Sequence, residues 1–219
     1  MSMNHLDISE RHLYLCTPIR NDLADFVSTC IEGGVDVVQL REKDATDREI
    51  YDGALKLAEV CRHYEVPLFI NDRADIALGV DADGVHVGQD DIRIGDLRRV
   101  FGDRLLLGLS THSQAEFDEG SRLDVSYLSV GPIVETPTKP GRPGTGVGYL
   151  DYATQRANKP VFITGGVTPS HIPTLIQHGA TRFVVVRYLT ESKDPHRAAL
   201  ELRKTIDTEL PRSSAPSNP

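Results

Sequence analysis

The stretch Val35-Asp36-Val37-Val38-Gln39-Leu40-Arg41-Glu42-Lys43 begins as an apolar run and ends with long polar side chains at alternate positions. Because alternate residues of an extended chain share a face, Gln39, Arg41 and Lys43 are predicted to point the same way as Val37. If that face lines an enclosed interior, an amide and two cations lie at its mouth. The alternative is a strand that runs out into a solvent-exposed charged loop.

Short β-rich runs alternate with amphipathic segments along most of the chain. Eight runs are predicted as strands, at residues 13–16, 35–40, 68–71, 84–87, 105–109, 127–130, 161–164 and 182–186. Most of them are continuously apolar, as expected for a parallel sheet that is covered by helices. The glycine-rich dinucleotide fingerprint of an open doubly wound sheet is absent after the first strand, where Thr17-Pro18-Ile19-Arg20 follows. The pattern therefore predicts an α/β fold with a single (β/α)8 TIM barrel.

The barrel is predicted to span residues 12–210 as one catalytic domain, with an N-terminal extension at residues 1–11. Residues 211–219 are rich in proline and serine and are predicted to form a disordered tail.

Composition excludes several classes of function. The net charge of -8 over 219 residues argues against a nucleic-acid-binding surface, although it allows a local cationic pocket. Cys16, Cys30 and Cys61 have no metal-site spacing and are predicted to be buried thiols. The sequence shows neither a secretory signal nor an apolar run of membrane-spanning length, which predicts a cytoplasmic protein without a membrane partner. Whether the chain forms a homo-oligomer is left open.

Polar residues gather where the predicted strands end, which is where barrels of this kind place their active sites. One group is cationic and consists of Arg41, Lys43, Lys139 and Arg187. The other is acidic and consists of Asp72 and Asp91, with the participation of Asp90 left open. Several cations at one mouth indicate a phosphate or pyrophosphate ligand. Because Mg2+ binds carboxylates together with phosphate oxygens, the two groups together predict a metal-assisted diphosphate site.

Two loops add to this prediction. Gly165-Gly166 would let backbone N–H groups approach a phosphate. The same residues are also predicted to form a tight turn in which Thr168 caps a helix that starts at Pro169, which is compatible with phosphate binding. The loop Thr136-Pro137-Thr138-Lys139 carries two hydroxyls and an ammonium group. It is predicted to be a functional lid rather than a plain linker.

Histidine and serine give weaker signals. His86 lies inside a predicted strand and is interpreted as a packed residue. Ser110 is interpreted as a hydrogen-bond donor rather than a nucleophile, because no base is evident beside it in the sequence. His112 is close enough in the chain to reach the site.

Five motifs occur in order and at compatible spacing: Gln39-Leu40-Arg41-Glu42-Lys43; Asn71-Asp72-Arg73-Ala74-Asp75; Asp83-Gly84-Val85-His86-Val87-Gly88-Gln89-Asp90-Asp91; Gly131-Pro132 with Thr136-Pro137-Thr138-Lys139; and Gly165-Gly166-Val167. Together they resemble the thiamine-phosphate synthase family, also called thiamin phosphate pyrophosphorylase. The resemblance runs from about Leu13 to about Leu202. Arg187 is followed by Tyr188-Leu189, where the family more often has Ala-Ile.

The resemblance implies a transferase of thiamine biosynthesis that uses Mg2+. It would join 4-amino-2-methyl-5-hydroxymethylpyrimidine diphosphate to 4-methyl-5-(2-hydroxyethyl)thiazole phosphate and release pyrophosphate. The residues implied in catalysis are Arg41, Lys43, Ser110 and Lys139. Those implied in binding the pyrimidine diphosphate are Gln39, Arg41, Lys43, Asn71, Ser110 and Lys139. Those implied in binding the thiazole phosphate are Thr136, Thr138, Gly165, Gly166, Val186 and Arg187. Asp72 and Asp91 are the implied metal ligands.

Two other functions remain as alternatives. A thiazole tautomerase on the same barrel would have no diphosphate to expel and no need for Arg41, Lys43 or Lys139. A non-catalytic phosphate-ligand sensor would be expected to have lost the carboxylates Asp72 and Asp91. All five side chains are present.

Overall fold

Eight parallel strands form a closed barrel in chain order in the computed structural model, which describes residues 7–135 and 144–210. The strands are β1 (Leu13–Thr17), β2 (Val37–Leu40), β3 (Leu68–Asn71), β4 (Gly84–Val87), β5 (Leu106–Thr111), β6 (Tyr127–Val130), β7 (Val161–Ile163) and β8 (Phe183–Val185). The pairing of Leu13 with Phe183 joins the last strand to the first. The predicted TIM barrel is confirmed, and the predicted strands agree with the observed ones to within two residues at either end.

Helices follow the strands and cover the outside of the barrel. They are α1 (Leu23–Glu32), α2 (Asp47–Tyr64), α3 (Ala74–Gly79), α4 (Ile94–Phe101), α5 (Gln114–Arg122), α6 (Gly146–Arg156), α7 (Ile172–Gln177), α8 (Arg187–Thr190) and α9 (Pro195–Glu209), with a short 3-10 turn at Gly102–Arg104. Among residues 7–135 and 144–210, we find no helix that combines the length and the hydropathy needed to span a bilayer.

Helix α2 shows how the sequence sets these elements. Thr46 accepts a hydrogen bond from the backbone N–H of Glu49, and the Glu49 carboxylate accepts one from the backbone N–H of Thr46, which forms a capping box. Ile50, Ala54 and Leu57 follow at helical spacing and are buried against the sheet. The cap starts the helix directly after the loop that carries Lys43, so it also fixes the end of that loop.

The lower half of the barrel interior is apolar. Tyr14, Phe69, Tyr127 and Phe162 fill it, and we call these four residues the aromatic floor. Tyr14 and Phe162 meet edge to face with ring centroids 5.3 Å apart, as do Phe69 and Tyr127. Ile8, from the segment that precedes β1, is buried in the same cluster.

Glycines on two neighbouring strands make room for these rings. A Cβ at Gly84 would lie 2.4 Å from Cε1 of Phe69. A Cβ at Gly108 would lie 2.3 Å from Cζ of Tyr127, which is well inside contact distance. The floor therefore depends on having no side chain at these positions.

A second layer of inward-facing residues lies above the floor, one alternation further along each strand, and it is polar. It consists of Cys16, Gln39, Asn71, His86, Ser110 and Ser129, all of them buried. The interior therefore changes from aromatic to polar over two residues of strand, as from Tyr14 to Cys16 in β1. All three cysteines are buried thiols outside any disulfide, which confirms that prediction.

An ion pair ties the opposite end of the barrel together. The buried carboxylate of Asp36 accepts the backbone N–H groups of His12 and Leu13, at 2.9 and 2.8 Å. It also accepts a hydrogen bond from Nη1 of Arg203 in α9, at 2.9 Å. Burial raises the pKa of Asp36 above its ordinary value, against the opposing effect of these donors. The start of β1, the residue before β2 and the last helix are thus held at one point.

Candidate active site

The carboxyl ends of all eight strands surround one cavity of about 620 Å³. Every predicted site residue that the structure describes lines this cavity: Gln39, Arg41, Lys43, Asn71, Asp72, Asp91, Ser110, Gly165, Gly166, Val186 and Arg187. Thr136, Thr138 and Lys139 lie outside the described residues, as does the predicted tail at 211–219. Gln39, on β2, is therefore buried in the cavity, and Arg41 and Lys43, in the loop that follows, line its mouth.

The cationic and acidic groups meet at one side of the cavity. Nζ of Lys43 lies 3.0 Å from Oδ2 of Asp72. Asp91 lies within hydrogen-bonding reach of Asp72, and its Oδ2 accepts the backbone N–H of Gly88 at 2.8 Å. Two carboxylates on neighbouring strands thus face the same ammonium group.

The two carboxylates titrate in opposite directions. Burial is the largest effect on Asp72 and raises its pKa, as does the negative charge of Asp91, while Lys43 opposes the shift. Burial also acts on Asp91, but hydrogen bonds from the Gly88 amide and from Asp72 outweigh it and lower its pKa. Of the two carboxylates, Asp72 is therefore the one whose proton is held more tightly.

The pair fits a magnesium ion. Oδ1 of Asp72 is buried and receives no hydrogen bond from any residue in the described ranges, so its lone pairs are not taken up by a donor there. Within residues 7–135 and 144–210, no group of three or more His, Cys, Asp or Glu side chains is placed to hold a metal ion. Two carboxylates alone are too few for a structural zinc site. They suit Mg2+, which completes its shell with water and phosphate oxygens.

The backbone turns sharply to present Asp72 to the cavity. Asp72 has φ +62°, a left-handed conformation that few residues other than glycine adopt, although aspartate tolerates it better than most. Its N–H donates to the carbonyl of His86 at 2.8 Å. The next residue, Arg73, is held by ion pairs with Asp75 and Asp47. Strain of this kind is typical of functional positions, and here it directs the carboxylate inward.

Glu42 has a structural part in the opening motif. Its carboxylate accepts the backbone N–H groups of Lys43 and Asp44, at 2.9 and 3.1 Å. These bonds hold the turn after β2 and leave the side chains of Arg41 and Lys43 directed into the cavity.

The glycine turn lies across the cavity from the carboxylates. Gly165 and Gly166 both have positive φ, at +89° and +73°. A Cβ on Gly165 would lie 2.5 Å from Cβ of Pro132, so the turn packs directly on the loop after β6. Nδ1 of His171 donates a hydrogen bond to the carbonyl of Gly166 at 2.7 Å, which ties the turn to the residue before α7, and both glycines line the cavity.

One local prediction is wrong. Helix α7 begins at Ile172, and Thr168 does not cap a helix that starts at Pro169. The hydroxyl of Thr168 instead lies 3.0 Å from that of Ser170. The carbonyl of Thr168 accepts the backbone N–H of His171, so a turn separates the glycines from the helix.

A hydrogen-bonded chain of side chains inside the barrel was not predicted from the sequence. His86 is packed inside the barrel as predicted, but its Nε2 lies 2.9 Å from Oγ of Ser110 and its Nδ1 lies 2.9 Å from the hydroxyl of Tyr127. Tyr127 reaches Tyr14 at 3.0 Å, and Tyr14 reaches Gln39 at 2.8 Å. The alternation in Leu13–Thr17 and Tyr127–Val130 marks both tyrosines as inward-facing, which was the one available signal.

Comparison with known proteins identifies the family. The family model described as thiamine monophosphate synthase matches residues 13–189, which is most of the chain. The chain belongs to the thiamine monophosphate synthase family. The matched residues of this family span β1 to α8, and so include every strand end described above.

Relatives from this family match along almost their whole length. The chain is 40% identical over 210 residues to the thiamine-phosphate synthase of Saccharopolyspora erythraea, which covers 91% of this chain and 94% of the relative. It is 41% identical over 199 residues to the thiamine-phosphate synthase of Acidothermus cellulolyticus, with 89% and 94% covered. Among solved structures, the thiamine phosphate pyrophosphorylase from Pyrococcus furiosus superposes with a TM-score of 0.84 at 28% identity, covering 92% of this chain and 98% of that one.

Proposed function

We propose that this chain is a thiamine-phosphate synthase. It would join 4-amino-2-methyl-5-hydroxymethylpyrimidine diphosphate to 4-methyl-5-(2-hydroxyethyl)thiazole phosphate, giving thiamine phosphate and pyrophosphate. The observation that carries the proposal is the pairing of Lys43 with Asp72, beside Asp91, at one side of a cavity whose other side is the Gly165-Gly166 turn. A metal-dependent diphosphate site and a second phosphate site thus face each other across one space.

The pyrimidine diphosphate is proposed to bind on the β2–β4 side. Arg41 and Lys43 offer positive charge at the mouth, where the diphosphate would lie. Asn71 and Ser110, which belong to the buried polar layer, would contact the ring below it. Gln39 lies in the same layer. Lys139 is proposed as a further contact to the diphosphate.

The thiazole phosphate is proposed to bind on the β7–β8 side. The backbone of Gly165 and Gly166 offers N–H groups that no side chain crowds. Val186 and Arg187 begin the short helix after β8 and line the same side of the cavity. Thr136 and Thr138 are proposed to add hydroxyl contacts from the loop after β6.

Asp72 and Asp91 would hold the magnesium ion. When bound, Mg2+ supplies positive charge to the diphosphate oxygens and makes pyrophosphate a better leaving group. Metal ligation requires both carboxylates to be ionised, so binding of the ion would compete with protonation of Asp72. Lys43 then remains as a cation beside the diphosphate.

The reaction needs charge stabilisation more than acid–base chemistry. The bond between the pyrimidine methylene and the diphosphate oxygen breaks, and pyrophosphate leaves with the electron pair. Arg41, Lys43 and Lys139 stabilise that negative charge, while the amino-substituted ring delocalises the positive charge left on the methylene carbon. The thiazole nitrogen then forms the new C–N bond with its lone pair. It has no proton to lose, so the site needs no general base.

Water must be kept from the pyrimidine cation. The aromatic floor closes the barrel below the polar layer, so solvent has no path to the methylene carbon from that side. The loop that carries Thr136, Thr138 and Lys139 is proposed to close the upper side.

The test is to mix the two substrates with Mg2+ and the purified protein, and to measure thiamine phosphate and pyrophosphate. We expect both products in equal amounts, and none when either substrate or the metal is left out. A thiazole tautomerase would convert a thiazole isomer without releasing pyrophosphate. A sensor would bind one or both ligands, as calorimetry would show, and release no product. Either result would overturn the proposal.

A further inference from the structure

Five buried side chains form one continuous hydrogen-bonded chain across the barrel interior. Nε2 of Gln39 donates to the hydroxyl of Tyr14 at 2.8 Å, and that hydroxyl lies 3.0 Å from the hydroxyl of Tyr127. Tyr127 continues to Nδ1 of His86 at 2.9 Å, and Nε2 of His86 continues to Oγ of Ser110 at 2.9 Å. All five residues line the cavity, and the hydrogen-bonded chain runs along its wall from Gln39 to Ser110.

In a hydrogen-bonded chain of this kind, the donors can all point towards Ser110 or all point towards Gln39. Burial raises the pKa of Tyr14 and of Tyr127 far above the ordinary value, so each phenol keeps its single proton. Each hydroxyl can then donate to only one of its two neighbours in the chain. A neutral imidazole likewise donates from one ring nitrogen and accepts at the other. Once the donor is known in the hydrogen bond at one end, the donor in every other hydrogen bond of the chain is therefore known.

The Gln39 end selects the direction. The thiol of Cys16 donates to Oε1 of Gln39 at 3.5 Å, and a thiol is a poor acceptor for the alternative in which the amide is turned round. The amide nitrogen is therefore on the side of Tyr14 and donates to it. Tyr14 must then donate its hydrogen bond to Tyr127, and Tyr127 must donate its hydrogen bond to Nδ1 of His86.

We infer that His86 is a positioning residue, held by Tyr127 as the Nε2–H tautomer, and that it makes Ser110 a hydrogen-bond donor to the ligand. Nε2–H donates to Oγ of Ser110, which leaves the serine proton for an acceptor in the cavity. A ring nitrogen of an aminopyrimidine is such an acceptor. This identification of the ligand rests on the proposed function, whereas the direction of the chain does not.

The opposite direction would give the opposite specificity. Ser110 would then donate to Nε2 of His86 and could only accept a hydrogen bond from the ligand. The site would favour a donor such as an amino group at that position, and a ring nitrogen there would face an oxygen lone pair. The tautomer of His86 thus reports which group the site recognises.

The first measurement is made on the ligand-free protein. In protein with 15N-labelled histidine, the two-bond 1H–15N spectrum separates the two neutral tautomers, and the loss of signals in His86→Gln assigns the ring. We expect a neutral ring protonated at Nε2. A ring protonated at Nδ1, or at both nitrogens, would overturn the inference whether or not the protein makes thiamine phosphate.

Tyr127→Phe tests the link that sets the tautomer, with Tyr149→Phe as the matched control. Tyr149 is another buried phenol, but its hydroxyl donates to Oγ1 of Thr111 at 2.7 Å and takes no part in the chain. In Tyr127→Phe, Nδ1 loses its donor, so we expect a mixture of both tautomers. Tyr149→Phe should keep the wild-type spectrum. An unchanged spectrum in Tyr127→Phe would show that Tyr127 does not set the tautomer.

Steady-state kinetics separate positioning from general stability. In Tyr127→Phe we expect the KM for the pyrimidine diphosphate to rise about tenfold, the effect of one weakened hydrogen bond, with the KM for the thiazole phosphate unchanged. Tyr149→Phe should change neither KM. If both constants rise together in Tyr127→Phe, the residue supports the fold and does not position Ser110. If the wild type makes no thiamine phosphate, the proposed function fails and the spectra alone decide the direction of the chain.

Discussion

Nζ of Lys43 lies 3.0 Å from Oδ2 of Asp72, so a cation predicted to bind the diphosphate and a carboxylate predicted to bind its metal are in direct contact. The ammonium is about half exposed, and an isolated pair of this kind contributes little to stability. Its importance is to the ligands, because both partners line the cavity where the diphosphate and the metal are proposed to bind. The predictions below test the two halves of this arrangement separately.

Removing one cation should slow the reaction strongly. We expect Arg41→Ala or Lys139→Ala to lower kcat by roughly two to three powers of ten, the usual effect of losing one group that stabilises developing charge. Steady-state assays of pyrophosphate release measure the change. Arg99→Ala is a matched control, because Arg99 is an exposed arginine paired with Asp96 on α4 and does not line the cavity. Wild-type rates in both site variants would refute their assignment to the leaving group.

Asp72→Asn should change the response to Mg2+. The amide keeps the size of the side chain and tolerates the left-handed backbone, but it removes a charged ligand of the metal. We expect the Mg2+ concentration for half-maximal rate to rise by at least tenfold. Asp81→Asn is the control, because Asp81 is an exposed aspartate that also has a left-handed φ, +55°. If both variants titrate with Mg2+ like the parent, Asp72 does not bind the metal.

The same substitution should stabilise the metal-free protein at neutral pH. Burial raises the folded-state pKa of Asp72 above its ordinary value of 3.8, so the folded state binds its proton more tightly than the unfolded state does. Stability from this group is therefore present below pH 3.8 and is lost as the pH rises through the raised value. We expect Asp72→Asn to melt above the parent at pH 7 in EDTA, with each 1 kcal/mol worth about 2 to 4 °C. The difference should vanish below about pH 3.8. A variant that melts below the parent at pH 7 would contradict this.

Replacing Arg73 should weaken Mg2+ binding, because Arg73 holds the turn that positions Asp72. Its ion pairs with Asp75 and Asp47 hold the strained turn after β3. We expect Arg73→Ala to raise the Mg2+ requirement severalfold and to change the melting temperature by only a few degrees, since exposed ion pairs are worth about 0 to 1 kcal/mol. Arg99→Ala again serves as the control. An unchanged Mg2+ titration would show that the turn holds its conformation without Arg73.

Gly108→Ala should destabilise the barrel from within. The new Cβ would lie 2.3 Å from Cζ of Tyr127 and 2.6 Å from Nδ1 of His86, so both rings would have to move. Overpacking of this kind costs about 1 to 3 kcal/mol, which urea unfolding can measure. Gly95→Ala is the control, because nothing lies within 4 Å of its Cβ position in helix α4. That variant should be about 0.4 to 1 kcal/mol more stable than the parent. Equal stability of the two variants would contradict the packing argument.

The sequence predicted those features that depend on neighbouring residues. The alternation of Gln39, Arg41 and Lys43 gave the correct face because strand periodicity is local. The left-handed turn at Asp72 could not be read in this way, because its N–H is held by the carbonyl of His86 on the next strand. The helix start after Gly165 was placed too early because the turn continues to His171, which bonds back to Gly166.

The meeting of the cationic and acidic groups at one mouth was predicted, because strand ends gather at one face of a barrel, but the contacts inside the barrel were not. Tyr14 and Tyr127 are brought together only because β1 and β6 cross the same barrel interior. The strand pattern placed each tyrosine in a buried strand. It could not show that their hydroxyls meet, nor that the pair continues to His86 and Ser110.

The aromatic floor limits how deeply a ligand can enter the cavity. Its rings pack edge to face against one another and against Ile8, so the lower limit of the cavity is set by rigid groups that cannot easily move aside. The distance from this limit up to Lys43 and Asp72 is therefore fixed. If the pyrimidine binds as proposed, a ring with a longer substituent at its buried end would have its reactive carbon lifted away from the cations. Selection by length follows from the fold itself and needs no contact dedicated to rejecting the wrong ligand.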